Sequence, residues 1–275
     1  MVSRAWIEFI QSQLLPWRLR FLGGVRPGVE CKILSVDDET GACSLLVRYP
    51  AGWSAPGGAL TVADELFVLE GGLTIGGRTY ADHAFAHFPP GFVAGDWSSP
   101  QGAIVVEFFS GHPSRANAPI PYDERQLVEH LDALAVEYTG NFHPQFPPGA
   151  GRKILYQDPQ TLDTTWLLGT MPLRWALRSE VHPTVEEMYL IAGEVHGNRG
   201  VMRPGAYFWR PAAKPHGPYG TQTGNLYLFR TKGGQLSTTY VEPERPFHWW
   251  PKYDPVLPAE LMPFAGEVPP TAKRW

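Results

Sequence analysis

The stretch Asp64-Glu-Leu-Phe-Val-Leu-Glu-Gly-Gly72 returns 122 positions later as Glu186-Glu-Met-Tyr-Leu-Ile-Ala-Gly-Glu194. Both are apolar runs of strand length that begin with acidic residues and reach a glycine at their end, which is typical of β-strands followed by turns. The same shift, with no gap between positions 58 and 94, pairs Trp53 with Trp175, Gly71 with Gly193 and Pro89 with Pro211. Two copies at so long a period exclude a solenoid or a propeller and predict a duplicated all-β unit.

Turn-forming residues determine the predicted organisation of the chain. Glycine (29 residues) and proline (28) make up about a fifth of the 275 residues, which favours many short strands and excludes a helical bundle. We predict an N-terminal barrel over residues 1–122, a helical linker over 123–145, a C-terminal barrel over 146–240 and a proline- and aromatic-rich arm over 241–275. We expect this arm to pack over the protein or over a second copy.

Two segments outside the strands have apolar residues at helical spacing. In the first they are Trp6, Phe9, Ile10 and Leu14, and in the second Leu127, Leu131, Leu134 and Tyr138. We predict a short helix in the first segment, laid against a barrel, and the linker helix in the second, with Asp123 as its N-terminal cap.

Charge and composition exclude several classes of partner. The net charge is -4 and the basic residues do not cluster, so we do not expect a nucleic acid partner. No apolar run approaches the ~18 to 20 residues of a membrane span, and two cysteines are too few for a disulfide framework. We therefore expect a cytoplasmic protein that does not bind membranes and that takes a small-molecule substrate. The aromatic C-terminal arm favours a homodimer.

Residues suited to chemistry concentrate in the second copy. Glu180 and His182 share one face of a predicted strand, and a Pro-Thr turn then lets Glu186 open the next strand. A later turn, which ends Gly205-Ala-Tyr-Phe-Trp-Arg-Pro-Ala-Ala-Lys-Pro-His216, delivers a second histidine to the mouth of another strand. His182, Glu186 and His216 make a two-histidine, one-carboxylate set, which binds a divalent metal and leaves positions open for substrate or oxygen.

The two stretches resemble the paired motifs of the cupin superfamily. Residues that fit the spacing of the first motif are His182, Glu186 and Gly193, and those that fit the second are Gly205, Pro211 and His216. The layout of the whole chain is similar to that of two-cupin (bicupin) proteins related to anti-sigma-factor cupins and to acetylacetone-cleaving dioxygenases. The resemblance implies an all-β chain with two cupin-type barrels, of the double-stranded β-helix or jelly-roll kind, and a few short helices.

Three positions depart from the family motifs. Glu180 stands in place of the first histidine, Ala213 in place of a glycine and Gly220 in place of the closing asparagine. The resemblance implies a metal bound by His182, Glu186 and His216, with the role of Glu180 left open. Glu180 either coordinates the metal, orients His182 or acts as a base.

Arg178 is the second candidate for a catalytic role beside Glu180. It has the same strand parity as Glu180 and His182. Its guanidinium therefore either points into the pocket, where it would hold a carboxylate or enolate, or pairs with Glu180 or Glu187.

The first copy has lost the ligand set. The residues that match Glu180, His182, Glu186 and His216 are Gly58, Leu60, Asp64 and Ala94. A single aspartate among apolar residues does not bind a transition metal, so we expect a structural or dimerising role for this barrel.

These observations predict a metal-dependent enzyme with one active barrel. The first hypothesis is a mononuclear Fe(II) dioxygenase that acts on a small chelating substrate, such as a β-dicarbonyl, an enediol or a diol. The second is an isomerase, lyase or hydrolase that uses Zn, Mn or Ni as a Lewis acid. The third is a metal-dependent sensor or small-molecule binding protein without catalysis.

Overall fold

The computed structural model of the chain describes residues 4–139 and 149–275, which divide into two compact units. Unit 1 comprises Arg4 and Leu15–Ala135, and unit 2 comprises Ala5–Leu14 and the described residues from Val136 onward. The strands of the first half are β1 (Ile7–Gln11), β2 (Glu30–Val36), β3 (Cys43–Tyr49), β4 (Trp53–Ala55), β5 (Asp64–Gly71), β6 (Leu73–Ile75), β7 (Arg78–Tyr80), β8 (Ala84–Phe88), β9 (Trp97–Ser99), β10 (Ala103–Phe109) and β11 (Val128–Asp132). Those of the second half are β12 (Ala150–Gln157), β13 (Thr164–Thr170), β14 (Arg174–Trp175), β15 (Ser179–Val181), β16 (Val185–Gly193), β17 (Val195–Gly197), β18 (Gly200–Met202), β19 (Ala206–Arg210), β20 (Gly220–Thr221), β21 (Asn225–Lys232) and β22 (Thr239–Val241).

The two units have the same strand order in their two main sheets, although the edge strand of the larger sheet comes from a different part of the chain in each unit and unit 2 has an additional two-stranded sheet, β15-β22. In unit 1 the six-stranded sheet has the order β11-β8-β5-β10-β3-β2, and in unit 2 it has the order β1-β19-β16-β21-β13-β12. The four-stranded sheets correspond in the same way, β4-β9-β6-β7 in unit 1 and β14-β20-β17-β18 in unit 2. The all-β prediction with two cupin-type barrels is therefore confirmed. Helices in the described ranges are 3₁₀ turns at Ser12–Leu14, Glu124–Gln126 and Met262–Phe264.

Each unit buries its own apolar core. In unit 1 the core includes Leu45, Leu66, Val68 and Val105, and in unit 2 it includes Met188, Leu190, Phe208 and Trp166. Both sets come from the central strands of the six-stranded sheets, where apolar side chains alternate toward the inner face. The repeat in the sequence is thus a repeat of core positions.

The segment at the N-terminus is a strand, which corrects the prediction of a helix there. Residues Ile7–Gln11 form β1, which pairs with β19 of unit 2. All five residues are buried, including Glu8 and Gln11. The helical interpretation was wrong because it placed these two polar residues on a solvated face, whereas both are buried in unit 2.

The predicted linker helix is also absent from its described part, residues 123–139. A 3₁₀ turn capped by Asp123 is followed by strand β11, which pairs with β8 at the edge of unit 1. The leucines at helical spacing were misleading because an edge strand with one covered face has a similar pattern over so few residues. Residues 140–145 of the predicted linker, and the predicted start of the C-terminal barrel at residue 146, lie outside the described residues.

The C-terminal arm packs against its own unit. The Tyr253 hydroxyl donates to the Phe9 carbonyl over 3.0 Å, and Val256 forms a β-bridge with Glu8. No helix in the described ranges has the length and hydropathy that a bilayer crossing requires.

Candidate metal centre

Backbone pairing in unit 2 brings the predicted site residues together. Glu180 lies on β15 and Glu186 is the second residue of β16, with His182 in the turn between the two strands. An isolated antiparallel bridge joins Glu180 to His216, with N to O distances of 2.9 and 3.0 Å. The amide of Ala213 donates to the His182 carbonyl over 2.8 Å. The turn that carries His216 is therefore held by backbone hydrogen bonds to both Glu180 and His182.

The functional atoms of these residues converge. The ligand atoms of Glu180, His182 and His216 all lie within 4.8 Å of one another. Glu186 reaches both imidazoles, with its Oε1 3.3 Å from His182 Nε2 and its Oε2 3.3 Å from His216 Nε2. Glu180 Oε2 is 3.7 Å from His182 Nε2. Two imidazole nitrogens thus face two carboxylates across one small space.

Both histidines are oriented by backbone carbonyls. His182 Nδ1 is 2.9 Å from the Ser237 carbonyl oxygen, and His216 Nδ1 is 3.0 Å from that of Lys214. A carbonyl accepts only from N–H, so each Nδ1 carries a proton and Nε2 is directed toward the cluster, where the lone pair of the neutral ring would be available to a metal ion. Metal-binding histidines are held in this way in proteins. The residues present therefore fit a divalent metal.

Burial and neighbouring charges set the protonation of the cluster. Burial lowers the pKa of His216 well below its ordinary value, and the positive charges of Arg210 and His182 lower it further. Burial also opposes the charged form of His182, but hydrogen bonding to Glu180 and the charge of Glu186 outweigh it and raise the pKa of His182. Burial raises the pKa of Glu186 despite the attraction of Arg210. A cation bound in this space would therefore stabilise the ionised form of the buried Glu186 carboxylate.

Arg210, which was not among the predicted site residues, connects the cluster to the N-terminal strand. Its guanidinium donates to Glu186 Oε2, and Nε donates to Glu8 Oε2 over 2.7 Å. The Tyr219 hydroxyl lies 2.8 Å from Arg210 and 3.2 Å from Glu8. Arg210 stands next to Pro211 in the second motif, which was a usable signal. Glu8 had none, because its segment was predicted as a short helix with only its apolar residues against the barrel.

Arg178 does not line the cavity, which corrects its predicted position. A bend at residues 177–178 interrupts the alternation between β14 and β15, so the parity argument fails there. The Arg178 side chain is 55% exposed, 3.4 Å from Glu242, and donates to the Tyr240 carbonyl. It therefore pairs at the surface, although with neither of the partners expected from the sequence.

A cavity of about 130 Å³ opens beside the cluster. Polar groups on its wall include Glu180, His182, Glu186, His216, Arg210 and Arg174. Its apolar wall is formed by Trp166, Leu168, Val195, Met202, Phe208, Tyr227, Phe229 and Leu236. A few convergent polar groups in an otherwise apolar cleft are typical of a small-molecule site.

The equivalent place in unit 1 holds an arginine. Arg26 Nη2 pairs with Asp64, the counterpart of Glu186, and Nη1 pairs with Glu107. The Tyr49 hydroxyl also donates to Glu107, and the guanidinium carbon lies 4.0 Å from the centre of the Trp97 ring. Within the described part of unit 1, no three histidine, cysteine or acidic side chains have the spacing of a metal site. A guanidinium neutralises the carboxylates there.

The sequence matches one family model. Residues 16–238 match the model described as "Domain of unknown function (DUF4437)". A search of curated proteins gave no match.

Solved structures with the same fold include two proteins with functional names. One is a "putative dioxygenase" from Nostoc punctiforme PCC 73102, with a TM-score of 0.78 and 19% identity over 88% of this chain and 93% of that one. Another is a point mutant of oxalate decarboxylase OxdC from Bacillus subtilis, with a TM-score of 0.58 and 13% identity over 85% of this chain and 79% of that one. A further structure of that decarboxylase is described by its Mn(II) centres. At these identities the likeness establishes the cupin fold alone.

Proposed function

The chain belongs to the DUF4437 family, and from the site in its unit 2 we propose that it is a metal-dependent bicupin enzyme. The activity that the site supports best is that of a mononuclear Fe(II) dioxygenase acting on a small chelating substrate, such as a β-dicarbonyl, an enediol or a diol. The observation that carries the proposal is the convergence of two imidazoles with Glu180 and Glu186 at the wall of a mostly apolar cavity.

The chain's own residues hold the donor atoms in place. Carbonyls fix the Nε2 atoms of His182 and His216 toward the cavity, and Arg210 holds Oε2 of Glu186, which leaves Oε1 facing His182. This preorganisation lowers the free energy needed to assemble the site, because the side chains lose little further rotamer freedom on binding. A bound divalent metal supplies Lewis acidity toward substrate oxygens and, as Fe(II), electrons for dioxygen.

Glu180 is the group to which we assign proton transfer. It lines the cavity, its side chain is 21% exposed, and its carboxylate lies beside His182. A carboxylate in this position accepts the proton that an enol or diol loses when its oxygens bind.

The position of Glu180 also favours a second candidate, a non-redox lyase or isomerase. Proton transfer through Glu180 needs no electron transfer, and a Zn(II), Mn(II) or Ni(II) ion would serve as a Lewis acid. The two candidates differ in their need for dioxygen.

Oxygen uptake separates them. The protein is loaded with Fe(II) under anaerobic conditions, mixed with β-diketones, enediols or catechols, and then exposed to air. We expect substrate-dependent oxygen uptake by the parent protein and none by His216→Ala. Product formation without oxygen uptake, retained with Zn(II), would instead establish the lyase or isomerase. Uptake by His216→Ala equal to that of the parent would refute a role for this site.

A further inference from the structure

The segment before the metal cluster carries one arginine on the cavity wall. Arg174 begins β14, which pairs with β20 directly after the turn that delivers His216. The amide of Ala176 donates to the Tyr219 carbonyl over 2.8 Å, which fixes this edge further. Along the strand, Arg174 and Ala176 face the cavity while Trp175 is exposed. The backbone therefore positions Arg174 relative to His216.

The Arg174 guanidinium has no hydrogen-bond acceptor or ion-pair partner among residues 4–139 and 149–275. Burial lowers the pKa of Arg174, and Glu180, Tyr227 and Tyr240 act against this shift. By contrast, Arg210 on the same wall is bound to Glu8, Glu186 and Tyr219. A partly buried guanidinium without such partners is available to bind an anion.

The charges of the site favour an anionic ligand once a metal is bound. Both imidazoles are then neutral, the carboxylates of Glu8, Glu180 and Glu186 carry three negative charges, and two guanidinium groups with a divalent cation carry four positive charges. The sum is a net charge of plus one. A monoanion neutralises it, whereas an uncharged ligand leaves an excess charge in a largely apolar cavity.

The size of the cavity limits the ligand. Its volume is about 130 Å³. A cavity of about 150 Å³ accommodates a molecule of the size of benzene. Trp166, Phe208 and Phe229 line it, so the ligand is compact and its uncharged part packs against apolar side chains.

On the basis of the proposed metal-dependent function, we propose that Arg174 binds a carboxylate of the substrate. The substrate class is then a small chelating carbonyl compound that bears a separate carboxylate, rather than a neutral diketone. One end of such a molecule reaches the cluster of Glu180, His182 and His216, and the other end pairs with Arg174.

The test is a binding measurement on Zn(II)-loaded protein, which does not turn over dioxygen. The probes are 2,4-dioxopentanoate, a β-diketone with a carboxylate, and hexane-2,4-dione, which has the same β-diketone group without the charge. Calorimetry gives the dissociation constants, and elemental analysis gives the zinc content. The variants are Arg174→Gln and, as the matched control, Arg178→Gln, which removes the same charge from an exposed position.

We expect the parent and Arg178→Gln to bind 2,4-dioxopentanoate at least about tenfold more tightly than hexane-2,4-dione, as a charge-assisted hydrogen-bonded pair provides. In Arg174→Gln this preference should disappear while zinc content and hexane-2,4-dione binding stay unchanged. Full zinc content with equal affinity for both probes in the parent overturns the assignment of Arg174 but leaves the metal site intact. Absence of stoichiometric zinc from the parent overturns both the proposed function and the assignment.

Discussion

At the scale of single residues, Arg26 brings one positive charge into the core of unit 1 opposite the two carboxylates of Asp64 and Glu107. Burial raises the pKa of Glu107 to about 7, with Arg26 acting against the shift and Asp64 adding to it. Between pH 4.5 and 7 the folded protein therefore keeps a proton that the unfolded chain has lost. The free energy of unfolding should decrease as pH rises through this interval, by up to roughly 3 kcal/mol from this group.

Denaturant unfolding at pH 5 and pH 8, for the parent and for Glu107→Gln, measures this contribution. Glutamine resembles the protonated carboxyl and keeps an oxygen for Tyr49 and Arg26, so the stability of the variant relative to the parent should increase with pH. Glu124→Gln, an exposed change in the same unit, should leave the pH dependence as it is in the parent. If Glu107→Gln and the parent lose stability in parallel, Glu107 is ionised throughout.

The sequence predicted part of the site at this scale. His182, Glu186 and His216 have motif spacing, and Glu180 follows from strand alternation. Glu8 could not be found, because its contact with Arg210 spans 202 positions and depends on strand pairing across the unit. Arg178 was selected because alternation was carried backward from Glu180 through a bend that the sequence does not mark.

At the scale of elements, the turns that end β5 and β16 require glycine for two reasons. Gly71 and Gly193 have φ values of +80° and +77°. A Cβ at Gly193 would lie 1.9 Å from the Gly224 carbonyl oxygen, and at Gly71 it would lie 2.2 Å from that of Gly102. Because backbone has to move in both cases, we expect Gly71→Ala and Gly193→Ala each to lower the free energy of unfolding by more than about 3 kcal/mol.

Gly52→Ala is the matched control for this prediction. Gly52 has a similar φ of +76°, but no atom lies within 4 Å of the position of its Cβ. Only the left-handed backbone is then unfavourable, and the expected loss is about 1–2 kcal/mol. Denaturant unfolding of the three variants checks the order, and equal losses would mean that the carbonyl contacts are relieved by small shifts.

The elements inside the repeats were predictable, and those outside were not. The runs that form β5 and β16 have apolar residues at matching positions in the two copies. A single short apolar run fits a helix as well as a strand, but its repetition beside the same turn glycine favours a strand in both copies. β1 and β11 have no counterpart in the other copy at their position in the sequence. Each completes an edge of a six-stranded sheet, and pairing with that edge overrides the helical spacing of their apolar residues.

At the scale of the whole molecule, the two units retain one topology with different chemistry in the barrel. The acidic residue at the start of the central strand is kept in both, as Asp64 and Glu186, and in both an arginine pairs with it. In unit 1 Arg26 approaches from the segment before β2, and apolar residues replace the histidines. In unit 2 Arg210 approaches from β19, and the histidines remain. In unit 1 the Arg26 guanidinium thus supplies the positive charge beside Asp64 that a metal ion would otherwise supply.

This difference predicts one metal ion per chain, bound by unit 2. Elemental analysis of protein purified after growth in iron-supplemented medium should give close to one divalent ion per chain, and His182→Ala and His216→Ala should each remove it while unfolding stays cooperative. His87→Ala is the matched control, since His87 is a buried histidine of unit 1 whose Nδ1 lies 3.0 Å from Glu65 Oε2 and which belongs to no cluster of metal-binding geometry in the described residues. This variant should keep the metal content of the parent. Loss of metal from His87→Ala, or two ions per chain in the parent, would place metal binding in unit 1 and contradict the role given to Arg26.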